Sequence, residues 1–409
     1  MSFKMKLTIK DAPGFFIKLF SCTIMWYSWV LQGRFFTVNN LLLFLGLLLL
    51  IAFVVDYCSS FYRMRIAKLP LSLWLMLAYV VFSSISGVIF AVDFRSHINQ
   101  SINIFENTIL SLVISYYIIS RKDNLFYIYN YAIMFFVMAI ISIIKPVYIY
   151  SVYNSSYRYT YSLITNSNEF AMELTVGIWA ILTLVSLRKI RFIFGFPAAV
   201  LLFYPIVLSG SRKGLIGAAV VFLLWLFFVY LNNYESKKTT IKLLLRVVVV
   251  LIFFFIIAYI IIPFVSDSFV WDRMINYAKE ESFKSRMDMY ATGIELIVVN
   301  FFGIGFQGFS YIYGLPSHST IIEVFVSSGW LLGIVYFYNY FIIGKRLLRY
   351  RIQAKHYDNN TDITINKMMI ILYILMLFYA FVVIHIFEKL SFVNFAVLIS
   401  SYFINEKTN

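Results

Sequence analysis

Residues 36–55 read FTVNNLLLFLGLLLLIAFVV, twenty residues without a charged side chain. A helix that crosses a bilayer needs about 20 mostly apolar residues, because each residue adds only ~1.5 Å of length. This stretch meets that requirement, and eleven others resemble it, at 14–31, 70–92, 100–119, 125–149, 168–187, 192–208, 213–231, 244–263, 319–344, 366–386 and 389–404. The whole chain is 62% hydrophobic and 13% charged. A soluble domain is about half apolar and a quarter charged. The expected fold is therefore all-α: a polytopic transmembrane helix bundle of about 12 spanning helices, forming one integral membrane domain over residues 1–409.

The formal net charge of +15 suggests a nucleic-acid binder in a soluble protein. In a membrane protein it reads as topology, because Lys and Arg accumulate in cytoplasmic connections. With the N-terminus inside, 23 of the 34 basic residues fall on the cytoplasmic side. Both termini are expected in the cytoplasm, and the segment after Lys10 reads as a retained signal anchor in an inner (plasma) membrane. Eleven basic residues fall on the disfavoured side, among them Arg158, Arg212, Lys213, Arg273 and Arg286. Cys22 and Cys58 are the only cysteines, which indicates neither a disulfide framework nor a thiolate metal site.

One long polar interruption breaks the apolar runs, and it is placed outside the cytoplasm as a loop over 264–318. Within it Phe283, Met287, Tyr290 and Ile294 recur at helical spacing, with Arg286 at the edge of the stripe and Asp288 pointing away. An amphipathic helix lying on the bundle or in the membrane interface fits this pattern. Gly303, Gly305 and Gly308 spell GxGxxG, but no strand precedes them and no βαβ unit surrounds them. An irregular turn in which small residues allow close backbone approach is the better reading.

Three further constellations can carry chemistry. The turn SGSRKG at 209–214 leads straight into a helix, whose N-terminus is a natural phosphate site. Arg212 adds a planar fork for phosphate oxygens, although an arginine there can also simply snorkel to headgroups. His318 precedes the helix that starts near Ser319, with Glu323 little more than a turn deeper. Asn168, Glu169 and Glu173 open the sixth helix at its outer end. Ionisable residues near a bilayer midplane, expected of an ion-coupled carrier, are nearly lacking.

In this order, four pieces resemble the O-antigen ligase/polymerase family of membrane glycosyltransferases: TNSNEFA (165–171), SGSRKG (209–214), SRMDMYATGIELIVVNFFGIGFQGF (285–309) and SHSTIIEVFVSSGWLLGIVYF (317–337). Two departures stand out, Ser319 where members commonly have Asn, and Ser167-Asn168 where many have Pro-Asn. The resemblance implies a GT-C-like fold and a donor saccharide on polyprenyl (undecaprenyl) diphosphate, which leaves as the sugar is transferred. It implies Arg212 and Arg286 on the leaving diphosphate, helped by Lys213, Arg158 and Arg273, with Asn168 and Glu173 as further substrate-binding residues. His318 would take or position the acceptor proton, with Glu323 as the fallback base. It implies no cofactor and no metal, cationic side chains acting where a metal acts elsewhere.

Several functions fit these expectations. The first is polymerisation of lipid-linked repeat units of O-antigen, capsule or exopolysaccharide outside the cytoplasm. The partners are then a polyprenyl-diphosphate-linked donor and acceptor, the bilayer and other glycan-assembly proteins, with no nucleic acid. A ligase moving finished glycan to a lipid core shares the same motifs. A flippase for lipid-linked oligosaccharide would place basic residues at several depths and show two related halves. A non-catalytic scaffold would tolerate loss of Arg212 or His318. Catalysis requires the SGSRKG turn and the 264–318 loop to serve one site.

Overall fold

The computed structural model describes residues 12–32, 34–35, 41–62, 69–151, 156–162, 166–231, 281–356 and 360–406. In chain order the elements are α1 (Ala12–Trp26), α2 (Leu41–Tyr62), α3 (Leu71–Phe90), α4 (Phe94–Arg121), α5 (Leu125–Ile144), β1 (Val147–Ser151) and β2 (Ser156–Thr160). They continue with α6 (Ser167–Ser186), α7 (Phe192–Leu201), α8 (Phe203–Leu208), α9 (Arg212–Trp225), α10 (Glu281–Val299), α11 (Gly308–Tyr313), α12 (Thr320–His356), α13 (Asn360–Val382) and α14 (Lys389–Glu406). Among the described residues nine helices are long and apolar enough to span a membrane, and Phe192–Leu208 and Lys389–Ser401 are shorter apolar helices. These cover eleven of the twelve expected spans. The twelfth, at 244–263, lies outside the described residues.

The structure adds an element where the sequence reading has none. The apolar run 125–149 ends as a helix at Ile144, and its last residues start an antiparallel hairpin in which Ile149 faces Arg158 and Tyr148 faces Tyr159. β-Branched and aromatic residues suit a pleated strand.

The chain forms two compact units. The first comprises residues 1–130, 289–353 and 379–409. Its centre is α4, packed against α3 and α14. Small hydroxyl residues (Ser101, Thr108, Ser111 and Ser115) are buried along α4. With lipid as apolar as leucine, such residues favour helix association by letting backbones approach. Thr108 donates to its own helix at Ile104 O over 2.8 Å, so the hydroxyl is satisfied in place. Asp93 caps the start of α4 by accepting from Ser96 N at 3.2 Å. At the other end of α4, Arg121 pairs with the buried Asp56 of α2 at 2.9 Å.

The second unit comprises residues 131–288 and 354–378, and α6 is its axis. Nearly every residue of α6 from Phe170 to Val185 is buried. Trp179 Nε1 donates to Met368 O of α13 at 2.7 Å, and Trp225 Nε1 of α9 donates to Ser186 Oγ at 2.8 Å. Buried indole N–H groups need such acceptors.

In the first unit, α12 is two helices joined at Gly329, where φ is 76° and ψ is 179°. The break frees carbonyls that lipid could not satisfy. The GxG segment supplies the partners: Ile304 N donates to Val326 O at 2.9 Å and Gly305 N to Ser327 O at 3.0 Å. Trp330 N in turn donates to Phe301 O at 3.0 Å. Two backbones meet so closely that a Cβ on Gly329 would lie 2.3 Å from Phe301 O. His97, fully buried on α4, accepts from Phe306 N at 3.0 Å through Nδ1, which leaves its Nε2 proton for Ser84 O at 3.0 Å.

Candidate functional site

In the second unit the SGSRKG turn folds as the sequence predicts. Ser209 closes α8, Gly210 takes a left-handed φ of 65°, and Ser211 caps α9 by accepting from Gly214 N at 3.2 Å. Arg212 and Lys213 are therefore the first two residues of α9, both half-buried. The start of α6 is capped in the same way, Asn166 accepting from Asn168 N at 3.0 Å. The two helix starts lie side by side. A Cβ on Gly214 would stand 2.3 Å from Ala171 Cβ, and Thr175 Oγ1 donates to Gly214 O at 3.3 Å.

The hairpin joins this end of the unit, because β2 packs on α6 and α8. Tyr159 and Tyr161 both pack their rings on Phe170, at 6.0 and 6.1 Å. Arg158 belongs to that strand. So two positive helix ends, the cations Arg212 and Lys213, the strand of Arg158, Asn168, and the carboxyls of half-buried Glu169 and buried Glu173 share one end of the unit. Helix N-termini and guanidinium groups favour phosphate. Carboxyl and amide groups beside them suit sugar hydroxyls.

Arg286 is half-buried on α10, in the part of that helix assigned to the second unit. Arg273 lies outside the described residues. From Met289 onward α10 belongs to the first unit, and the expected apolar stripe needs correction there. Met289 is buried with Ile304, Phe309, Ile322 and Val326, and Tyr290, Leu296 and Ile297 pack against that cluster. Met287 and Ile294 are instead 54% and 59% exposed. The stripe is thus divided: Met287 and Ile294 face outward, as suits a helix in a membrane interface, whereas Tyr290 packs inward. Gly293 sits on the packed side, where a Cβ would approach Ile322 to 2.5 Å.

His318 and Glu323 belong to the first unit. His318 is half-buried with a left-handed φ of 55°, uncommon for a residue with a Cβ. Glu323 is 1% exposed, one turn into α12. Its carboxyl accepts from Ser317 Oγ at 2.8 Å and from Ser327 Oγ at 3.3 Å. The first of these ties Glu323 to the residue preceding His318, and the second ties it to the helix break.

The start of α12 is fastened to the loop Val383–Glu388, which lies between α13 and α14 and outside both. The apolar run of the eleventh expected span extends to 386, whereas the helix stops at Val382. Thr320 Oγ1 donates to Val383 O at 2.6 Å and accepts from His385 N at 2.8 Å. His385 Nε2 and the Tyr340 hydroxyl are 2.6 Å apart, and burial pushes the imidazole pKa down to about 4. His97, Ser317, Ser327 and His385 were not predicted from sequence. The signal for the histidines was their rarity, since the chain holds four and two of these lie fully buried in the bundle.

The fold defines a polytopic membrane protein of apolar helices. Residues 197–337 match the family described as O-Antigen ligase, in support of the resemblance carried by the motifs. Three of the four motifs, at 209–214, 285–309 and 317–337, lie inside the matched residues. The match supports membrane glycan processing of the O-antigen ligase/polymerase type and is common to both activities. Comparison with curated proteins gave no match.

Proposed function

We propose that the chain is a glycosyltransferase that polymerises lipid-linked oligosaccharide repeat units on the extracytoplasmic face, with polyprenyl diphosphate as leaving group. The observation that carries this reading is the paired start of α6 and α9, two positive helix ends with Arg212 and Lys213 at one of them. Negative charge grows on the diphosphate oxygens as the glycosidic bond breaks, and fixed cations aimed at that charge lower the barrier. Arg212 and Lys213 meet the diphosphate, with Arg286, Arg158 and Arg273 as further cations. Asn168 and Glu173 orient sugar hydroxyls. His318 takes the proton of the acceptor hydroxyl, and Glu323 is the second candidate for that role.

The family description favours a second reading, transfer of finished glycan to a lipid core by a ligase. Deletion of the gene followed by gel analysis of surface glycan separates them. A lost polymerase leaves a single repeat unit attached, whereas a lost ligase leaves full-length polymer on the lipid carrier. Unchanged glycan in the deletion strain contradicts both.

A further inference from the structure

His97, in the first turn of α4, spends both ring nitrogens inside the first unit. It is fully buried. Nδ1 accepts from Phe306 N at 3.0 Å, and Nε2 donates to Ser84 O of α3 at 3.0 Å, with Ser101 Oγ 3.3 Å away. The ring stacks on that of Phe306 at 5.3 Å between centroids, and a Cβ on Gly87 of α3 would strike it from the other side. The imidazole is therefore fixed in tautomer and in orientation together.

What it holds is the segment Gly303–Phe306, which lies outside every helix and strand and has left-handed glycines at 303 and 305. A segment with no ladder of its own takes its position from its neighbours. Ser86 Oγ donates to Phe302 O at 3.1 Å on an exposed face, and the exposed Val92 donates through N to Ile304 O at 3.1 Å. The bond from Phe306 N to His97 is buried. In apolar surroundings a lost partner leaves that N–H unsatisfied at full cost. His97 thus fixes the segment more firmly than the exposed contacts do.

From this segment a chain of hydrogen bonds runs on toward His318. Ile304 N and Gly305 N hold Val326 O and Ser327 O at the break in α12. Ser327 Oγ donates to Glu323 Oε1 at 3.3 Å. Ser317 Oγ lies 2.8 Å from Glu323 Oε2, closer than its other acceptor, Ser319 O, at 3.1 Å. Ser317 directly precedes His318, and all of these residues belong to the first unit. We infer that His97 is a positioning residue of the transfer: through Phe306, the helix break and Glu323 it sets where the His318 imidazole stands. The reaction it serves rests on the proposed function, which gives His97 no part. A shift of about 1 Å in a reacting group can cost about 10²-fold in rate, so a contact this far from the chemistry matters.

The test compares two amides at one position in the full chain, purified in detergent. His97→Asn puts an acceptor near the place of Nδ1 and keeps Phe306 N satisfied, whereas His97→Gln reaches the place of Nε2 and keeps Ser84 O instead. The expected result is kcat lowered at least about tenfold in His97→Gln, with KM for the lipid-linked donor within about twofold of the parent's. His97→Asn is expected to restore kcat to within about threefold of the parent's. Carbethoxylation of His318 by diethyl pyrocarbonate, read by peptide mass spectrometry, is expected to run at least about twofold faster in His97→Gln and at the parent's rate in His97→Asn. Should His97→Gln lower the melting temperature, phenyllactic acid in place of Phe306, introduced by nonsense suppression, removes only the N–H and is read in the same way. Equal kcat in the two amide variants, or a loss of kcat with His318 reactivity unchanged, overturns the inference. The expected His318 reactivities in a protein whose deletion leaves surface glycan intact sink the proposed function and spare the hold of His97 on His318.

Discussion

Glu323 and His318 stand in different settings although only four residues separate them. Glu323 is closed off from solvent and held by two serine hydroxyls, whereas His318 is half-buried on a strained backbone. Strain of that kind concentrates where function needs a side chain aimed against backbone preference. On that ground we propose His318, rather than Glu323, for the acceptor-proton role. His318→Ala is expected to lower transfer by about 10²-fold and to flatten its dependence between pH 6 and 8, the range in which imidazoles ordinarily ionise. Glu323→Gln keeps the shape and one acceptor for the serines, and is expected to cost less than about tenfold. Initial rates with purified lipid-linked substrate decide the matter, and the opposite order moves the base role to Glu323. The candidates at this scale were legible beforehand, since Arg212, His318 and Glu323 stand out as rare polar groups in an apolar chain. Ser317 and Ser327 were not, because nothing in a serine's sequence neighbourhood says which carboxyl it will meet across a helix break.

Among the elements, the break in α12 depends on a backbone geometry that only glycine adopts without strain. Gly329→Ala places a Cβ against Phe301 O and imposes a left-handed φ on alanine. It is expected to destabilise the protein by about 2 kcal/mol or more, read as a lowered melting temperature in detergent. A melting temperature equal to the parent's would show that the break is not fixed by this contact. The loop after α13 makes a second prediction. Buried His385 is neutral in the folded state with a pKa near 4, whereas an unfolded imidazole binds its proton near 6.5. Between those values the unfolded chain holds the extra proton, so His385 contributes stability that is present above about pH 6.5 and lost as pH falls toward 4. Melting temperatures from pH 7 to 5 are expected to drop less for His385→Gln than for the parent; equal slopes exclude the histidine as the cause. At this scale hydropathy located the helices, because twenty apolar residues can do little else in a bilayer. It missed the hairpin and the helix break, since both lie inside or beside apolar runs and a hydropathy window is blind to φ.

For the whole molecule, the sorting of basic residues predicts which connections face the cytoplasm. Single-cysteine labelling in intact cells is expected to leave the Arg188–Lys189 connection protected and to label the 145–160 hairpin region; the reverse pattern would place the cationic turn on the wrong face for an extracytoplasmic transferase. We propose above all that the capped, cationic start of α9 carries transfer of glycan from polyprenyl diphosphate. Its most direct test is the surface glycan ladder of a deletion strain complemented with Arg212→Ala, the variant being checked for normal membrane abundance and melting temperature. The expected ladder is collapsed to the single repeat unit, with transfer by the purified variant down at least about 10²-fold. A full-length ladder from the folded variant would contradict it.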